Sequence, residues 1–349
     1  MIRWYRKTAE PLIRKEHLLA ADAAHDTVTA HPSSTHTVPL ENELQRARAL
    51  VREANQSIAN LVATAKNGSS LDMGSLEDIV ERMSDSISRN PDALISLCMI
   101  KSKDDYTNMH AVSVGILMLA FARAMDKDQD QMKQMGMGGM CLDIGKCMLP
   151  HKILTKQAKL TNDEYEKVKA HVAYSYQILS DAHHTSKTLL QIATQHHERY
   201  DGTGYPRGLD YREISEAGQM AAIADCYDAM TSTRCYQKAG HPTDTLKTMV
   251  GMRNTQFDEK LLSDFVRCVG IYPVGTLLAL SNGKLAVVVE QNAEHLLTPF
   301  VRTIYDLRKR AYTTASDLDL HEAGKTQGIR VISHIPAEKV HINPHMFLQ

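Results

Sequence analysis

Hydrophobic positions recur at three- and four-residue intervals along most of this chain, the spacing that gives a helix one apolar face. From Glu41 to about Ala65 a charged, helical pattern runs until Asn67-Gly68-Ser69-Ser70 breaks it. Ser75 followed by Asp78 reads as a capping box opening a second helix, whose apolar stripe is Ile79, Val80 and Met83. Further helices are predicted over about 91–101, 105–125, 129–146, 162–180, 186–200, 213–232, 242–252 and 257–270. In the 162–180 segment Thr161 and Glu164 make another capping box, and Tyr165, Val168, Val172 and Leu179 form the expected buried stripe. No convincing strand precedes residue 274. There the period changes. Leu277 to Leu280, Asn282-Gly283 and Leu285 to Val289 read as a hairpin with a type I′ turn, and Val301 to Tyr305 and Ile329 to Ile332 are further strand candidates.

The fold class that follows is mainly α, a helical bundle with a small C-terminal β subdomain. Residues 1–40 read as an N-terminal arm and linker, with a short helix before residue 25 interrupted at Pro11. Residues 41–100 form a helical N-terminal region, 101–273 the main helical domain, 274–335 the β subdomain and 336–349 a tail. No internal repeat is evident.

Composition narrows the function. The net charge of −1 and a pI near 7.0 do not suit a protein that coats nucleic acid polymers. The six cysteines (Cys98, Cys141, Cys147, Cys226, Cys235 and Cys268) form no Cys-x-x-Cys pair, which favours reduced thiols and a cytoplasmic setting. No apolar run approaches the roughly 18 residues of a membrane span. The basic start, Met1-Ile2-Arg3-Trp4-Tyr5-Arg6-Lys7, has no apolar region behind it and does not read as a signal peptide; it reads as a solvated helix start, with a short basic amphipathic arm on a membrane surface as the alternative.

Candidate chemistry lies on the helices. His196 and His197 close an apolar run, four residues after Ile192 and Ala193, about 100° apart around the helix. Two adjacent neutral imidazoles can bind one metal. His171 sits at the edge of the Val168 stripe. Asp225 follows Ala221 by one turn among small apolar residues, where a carboxylate needs a cation or hydrogen-bond donors. Asp228 shares its face, and His110 precedes the long apolar run from Val112 to Phe121. In Asp143-Ile144-Gly145-Lys146 an acid and an ammonium share a helical face and could serve one ligand. Met132, Met135, Met137, Met140 and Met148 read as core filler. Mixed imidazole and carboxylate ligation suits iron, manganese, zinc or nickel better than calcium. Metals held this way are a common device for phosphate-ester hydrolysis, in which Lys146 would add electrostatic stabilisation.

Taken in order, these motifs resemble the HD-GYP proteins, a branch of the HD phosphohydrolase superfamily. The match runs from about Glu41 to Asp306. It includes Asp-Ile-Gly-Lys at 143–146, His171 and His196-His197-Glu198-Arg199-Tyr200-Asp201-Gly202-Thr203-Gly204-Tyr205-Pro206. It continues through Ala224-Asp225-Cys226-Tyr227-Asp228-Ala229-Met230-Thr231-Ser232. The resemblance implies an HD-type helical bundle with a metal centre. It implies hydrolysis of cyclic di-GMP to pGpG, GMP or both, or of a mixed cyclic GMP-AMP. It implies divalent ions, iron or manganese first, then zinc, nickel or magnesium, one or two per chain. By position, His171, His196 and His197 look like ligands of one metal, with Asp143 bridging to a second held by His110 and Asp225. Lys146 looks like the phosphate contact. Tyr205 and Arg234 look like nucleotide contacts, with Asp228 close by, and His151 falls where some trinuclear members place an extra ligand.

The chain departs from the pattern before Asp143, where the family's histidine is replaced by Leu142, which cannot ligate metal. Cys141 is a poor substitute, because one residue turns it about 100° around the helix. Ser175 replaces a glycine common in the family. Two functions therefore stay open. One is a cyclic dinucleotide phosphodiesterase impaired at Leu142. The other is a degenerate member that senses the nucleotide or docks a GGDEF-type partner without turnover. A different HD-type phosphohydrolase is argued against by the Gly-Tyr-Pro segment. The helices at 41–90 are candidates for a homodimer contact.

Overall fold

The computed structural model describes residues 37–98, 106–183, 185–232, 240–336, 340 and 342–348. Backbone contacts divide it into two units, one over Val38–Cys268 and the other over Val269–Gln349. The first holds α1 (Leu40–Lys66), α2 (Gly74–Arg89), α3 (Pro91–Cys98), α4 (Tyr106–Ala124) and α5 (Gln129–Cys141). A 3-10 turn (Ile144–Met148) follows, then α6 (His151–Leu154), α7 (Asn162–Lys169), α8 (His171–Ser180), α9 (Lys187–Gln195), α10 (Glu216–Thr231), α11 (Pro242–Val250) and α12 (Glu259–Val269). The mainly helical class with an antiparallel C-terminal sheet is the one the apolar period predicts.

The bundle core forms where α4 meets α5 and α10. Phe265 of α12 packs edge-on against Phe121 and Tyr227, each with ring centroids 5.3 Å apart. A side chain of this size contributes about 1.5–3 kcal/mol on full burial. The glycines of α5 permit close helix approach: a Cβ at Gly139 would fall 3.0 Å from Gly115 Cα on α4. Met132, Met135, Met137 and Met140 are buried filler, whereas Met148 is 48 % exposed, because the chain has by then left α5.

Several local expectations are corrected. The predicted 129–146 helix ends at Cys141 and tightens into the 3-10 turn, which Gly145 lets lie against α8. The predicted 162–180 helix breaks at Ala170, where the His171 ring bonds the Val168 carbonyl. Tyr165 lies on the open side of α7, 46 % exposed, not in the buried stripe. The Thr161/Glu164 capping box forms. The Ser75/Asp78 box does not: α2 begins at Gly74 with no side-chain cap, and the Ser75 hydroxyl faces that of Ser57.

The second unit is an antiparallel sheet of order β4-β3-β2-β1-β5. Its strands are β1 (Leu277–Leu280), β2 (Lys284–Glu290), β3 (Phe300–Asp306), β4 (Ala311–Asp319) and β5 (Val331–His334), with α13 (Leu320–Gln327) between β4 and β5. The β1–β2 hairpin forms, but not on a type I′ turn. Gly283 (φ +84°) takes a positive φ while Asn282 does not, and the Gly283 N–H closes the turn on the Leu280 carbonyl. β4 and α13 were not predicted, because β4 is an exposed edge without an apolar alternation. The predicted helix before residue 25 lies outside the described residues.

Candidate metal centre

Asp143 is the hub. It sits in the turn between α5 and the 3-10 segment, with its side chain 8 % exposed. Its Oδ1 lies 3.1 Å from His171 Nε2 and 3.7 Å from His196 Nε2. Its Oδ2 lies 3.5 Å from His110 Nε2 and receives a hydrogen bond from the Lys146 ammonium. His171 opens α8, and His196 and His197 follow the end of α9. Gln195 fixes that end, because its Oε1 accepts the Ser215 N–H at 2.9 Å and the Ser215 hydroxyl at 2.6 Å at the start of α10. On α10, Asp225 and Asp228 meet opposite edges of the His110 ring. His110 Nε2 is 3.0 Å from Asp225 Oδ1, and Nδ1 is 2.7 Å from Asp228 Oδ2.

Potential ligand atoms thus form two sets that share Asp143. One is Asp143, His171, His196 and His197; the other is His110, Asp143 and Asp225, with atoms in each set within 4.8 Å of one another. The tautomers are decisive. His171 Nδ1 donates to the Val168 carbonyl at 2.7 Å, and His196 Nδ1 donates to the Ala193 carbonyl at 3.0 Å. A carbonyl can only accept, so in each neutral ring the lone pair is on Nε2. Those lone pairs face a carboxylate oxygen, and His171 Nε2, His196 Nε2 and Asp143 Oδ1 are buried without a hydrogen-bond partner. Acceptors facing acceptors in a buried space repel unless a cation lies among them. The donor set therefore fits a divalent metal.

The charges agree. Burial opposes ionisation of Asp143, but the Lys146 ammonium beside it holds its carboxyl well below the usual range. Burial likewise opposes ionisation of Asp225, and His110 overrides it and holds that carboxyl low. Burial and the neighbouring His196 push His197 well below the usual imidazole range, which keeps it a neutral ligand. Burial alone would lower His110, but Asp143, Asp225 and Asp228 raise it to about 10, so a proton on this ring and a cation among these carboxylates compete for the same site.

The Gly-Tyr-Pro loop is built back onto this site. A Cβ at Gly204 would fall 2.4 Å from the Arg199 nitrogen, so only glycine lets the loop lie on the turn that carries His197. Glu198 staples it from beneath, accepting the Arg207 N–H at 2.8 Å and the Leu209 N–H at 3.0 Å. Tyr205 stacks on His197, centroids 4.6 Å apart, and meets Tyr165 edge-on at 6.3 Å. Lys169 Nζ stands 5.2 Å from the Tyr165 ring and 5.5 Å from the Tyr205 ring. From sequence, Tyr165 has only a place in a buried stripe, and Gln195, Glu198 and Lys169 have no separate role at the site. Glu198 was visible inside the motif, but its partners lie across the loop.

His151 is not brought to the centre: it is exposed at the start of α6 and belongs to neither ligand set. Cys141 belongs to neither set, and burial pushes its thiol up to about 12. Leu142 is 1 % exposed, and its carbonyl is held by the Ser175 hydroxyl. Asp228 is 1 % exposed and engages His110 and Ser232. Arg234 lies outside the described residues. Five described cysteines are free. No described helix is long and apolar enough to cross a membrane.

Histidine and aspartate ligand atoms converging inside a helical bundle define an HD-type metal-centre protein. The HD-domain family profile matches residues 95–261. The protein named cyclic di-GMP phosphodiesterase PA4108 of Pseudomonas aeruginosa is 38 % identical over 312 residues, 89 % of this chain and 74 % of that relative. A Vibrio cholerae protein named 3'3'-cGAMP-specific phosphodiesterase 3 is 32 % identical over 178 residues, covering 50 % of this chain and 38 % of that relative. Among solved structures, Bd1817, an HDG"Y"P protein from Bdellovibrio bacteriovorus, shares the fold. Its TM-score is 0.54 at 17 % identity, over 72 % of this chain and 76 % of that one. The chain belongs to the HD-domain family.

Proposed function

We propose that this chain is a metal-dependent phosphodiesterase that hydrolyses cyclic di-GMP to pGpG, to GMP or to both. The observation that carries the reading is the convergence of His171 Nε2, His196 Nε2 and Asp143 Oδ1, all buried without a hydrogen-bond partner. The relatives' names support the substrate class. His171, His196 and His197 with Asp143 hold one ion, and His110 and Asp225 share Asp143 for a second. The donors suit iron or manganese. Bound there, such ions supply Lewis acidity toward the phosphodiester and lower the pKa of water.

The chain's own groups do the rest. The Lys146 ammonium, 25 % exposed beside Asp143, meets a phosphoryl oxygen and offsets the charge that develops on it. Asp228 accepts a hydrogen bond from His110 Nδ1 and so leaves Nε2 as the nitrogen that would ligate the second ion once its proton is displaced. Tyr205 and Arg234 contact the nucleotide. The free thiols agree with a cytoplasmic setting. The exposure of His151 supports one or two ions rather than three.

A second reading is favoured by Leu142. With no side-chain donor there, the His110 set has three members against four in the other. A chain whose second ion binds too weakly would sense the nucleotide, or dock a GGDEF-type partner, without turnover. Metal per chain and cyclic di-GMP turnover, each measured with added Mn²⁺ or Fe²⁺, separate the two. Metal-dependent turnover abolished by Asp143→Ala supports the enzyme. Nucleotide binding without turnover, with hydrolysis appearing in Leu142→His, supports the sensor.

A further inference from the structure

We infer that Ser175 is a positioning residue for the metal centre, its hydroxyl fixing the turn that carries Asp143 against the helix that carries His171. The inference rests on the metal reading above. Ser175 is fully buried on α8, one turn after His171. Its hydroxyl donates to the Leu142 carbonyl at 2.8 Å and accepts the Gly145 N–H at 2.9 Å. Those two backbone groups bracket Asp143 and Ile144, so one oxygen holds both ends of the turn. The approach is too close for any side chain at position 145: a Cβ there would fall 2.2 Å from the His171 carbonyl oxygen and 2.3 Å from the Ser175 nitrogen.

The Ser175 hydroxyl makes its hydrogen bonds to Leu142 and Gly145, on either side of Asp143, and so acts on that ligand through the backbone. Asp143 is the ligand that both sets share, so a shift of its turn moves an oxygen of each set at once. Removing the hydroxyl leaves a buried carbonyl and a buried N–H each without that bond, and the turn must move to recover one. Groups that orient metal ligands typically change affinity about 10–100-fold when removed.

The test uses Co²⁺ as the probe. The full-length metal-free protein is titrated with Co²⁺ against a competing chelator, and the visible d–d bands are recorded. Ser175→Ala is expected to weaken Co²⁺ binding by about 10–100-fold and to shift the bands. Ser175→Cys, with a weaker donor of similar size, should fall between it and wild type. Leu179→Val, a buried change on the same helix away from the turn, should lower the melting temperature while leaving affinity and bands as in wild type. Wild-type affinity and unshifted bands in Ser175→Ala overturn the inference. If Ser175→Ala does not fold, unshifted bands and wild-type affinity in Ser175→Cys overturn it, and shifted bands support it. Wild-type protein that takes up no Co²⁺ overturns the metal reading together with the inference, whereas uptake unaffected at position 175 removes only the inference.

Discussion

The two halves of the centre differ in what surrounds the shared Asp143. On one side are His171, His196 and His197, three imidazoles; on the other are His110 and Asp225, one imidazole and a carboxylate. The first half is held by local structure. Two of its imidazoles, His171 and His196, donate to carbonyls three residues back, and the Gly-Tyr-Pro loop folds over the third. The second half depends on distant residues, since His110 is oriented by Asp228, 118 positions away. It also lacks a side-chain donor at Leu142. Under the proposed function, local hydrogen bonds and a fuller donor set would make the imidazole-rich half the tighter binder, and the carboxylate-rich half would decide whether bound nucleotide is cleaved.

The comparison can be broken most severely at the shared ligand. Asp143→Ala should empty both halves, so metal per chain, read by elemental analysis, falls to background and cyclic di-GMP turnover disappears. Retention of one full equivalent would mean that the first half does not need Asp143. Lys146→Met comes next. It should leave metal content at the wild-type level and reduce turnover by about 100- to 1,000-fold, the scale of losing one preorganised charge-stabilising donor. Asp228→Ala sharpens the contrast between halves. It should weaken metal binding by about 10–100-fold in the His110 half alone, so a titration loses its weaker phase and keeps its tighter one.

The smallest effect concerns Cys141, next to Leu142. A thiol raised to about 12 is protonated at pH 8, and its reactive thiolate becomes appreciable only as pH approaches that value. Iodoacetamide at pH 8 should therefore leave Cys141 unmodified in the folded protein, as mass spectrometry of peptides would show, and modify it once the protein is denatured. Rapid labelling of the native protein would mean that the α5 terminus is open.

The helical class was legible because the apolar period is long and regular, and the sheet because that period changes after residue 274. The site residues stood out individually because histidine and aspartate on apolar helix faces are costly to bury unless something binds them. The breaks that aim those residues were not legible. Ala170 carries no helix-stop signal; the helix ends there as His171 turns its ring onto the Val168 carbonyl. The end of α5 is set with Ser175, 33 residues after Leu142. Ser75 shows the converse. Its sequence matches a cap, but the helix already begins at Gly74. Tyr165 fits an apolar stripe by spacing, yet its ring turns to Tyr205 at the site. At Ser175 and Tyr165 a distant partner overrode a local pattern.

The central claim is that the Asp143 hub holds divalent metal for phosphodiester hydrolysis. It is tested most directly by incubating Mn²⁺-loaded wild-type protein with cyclic di-GMP and separating the products by chromatography. The expected result is metal-dependent release of pGpG or GMP, abolished by chelator and by Asp143→Ala. Metal-loaded protein that binds cyclic di-GMP and leaves it intact, while Leu142→His cleaves it, would contradict that claim.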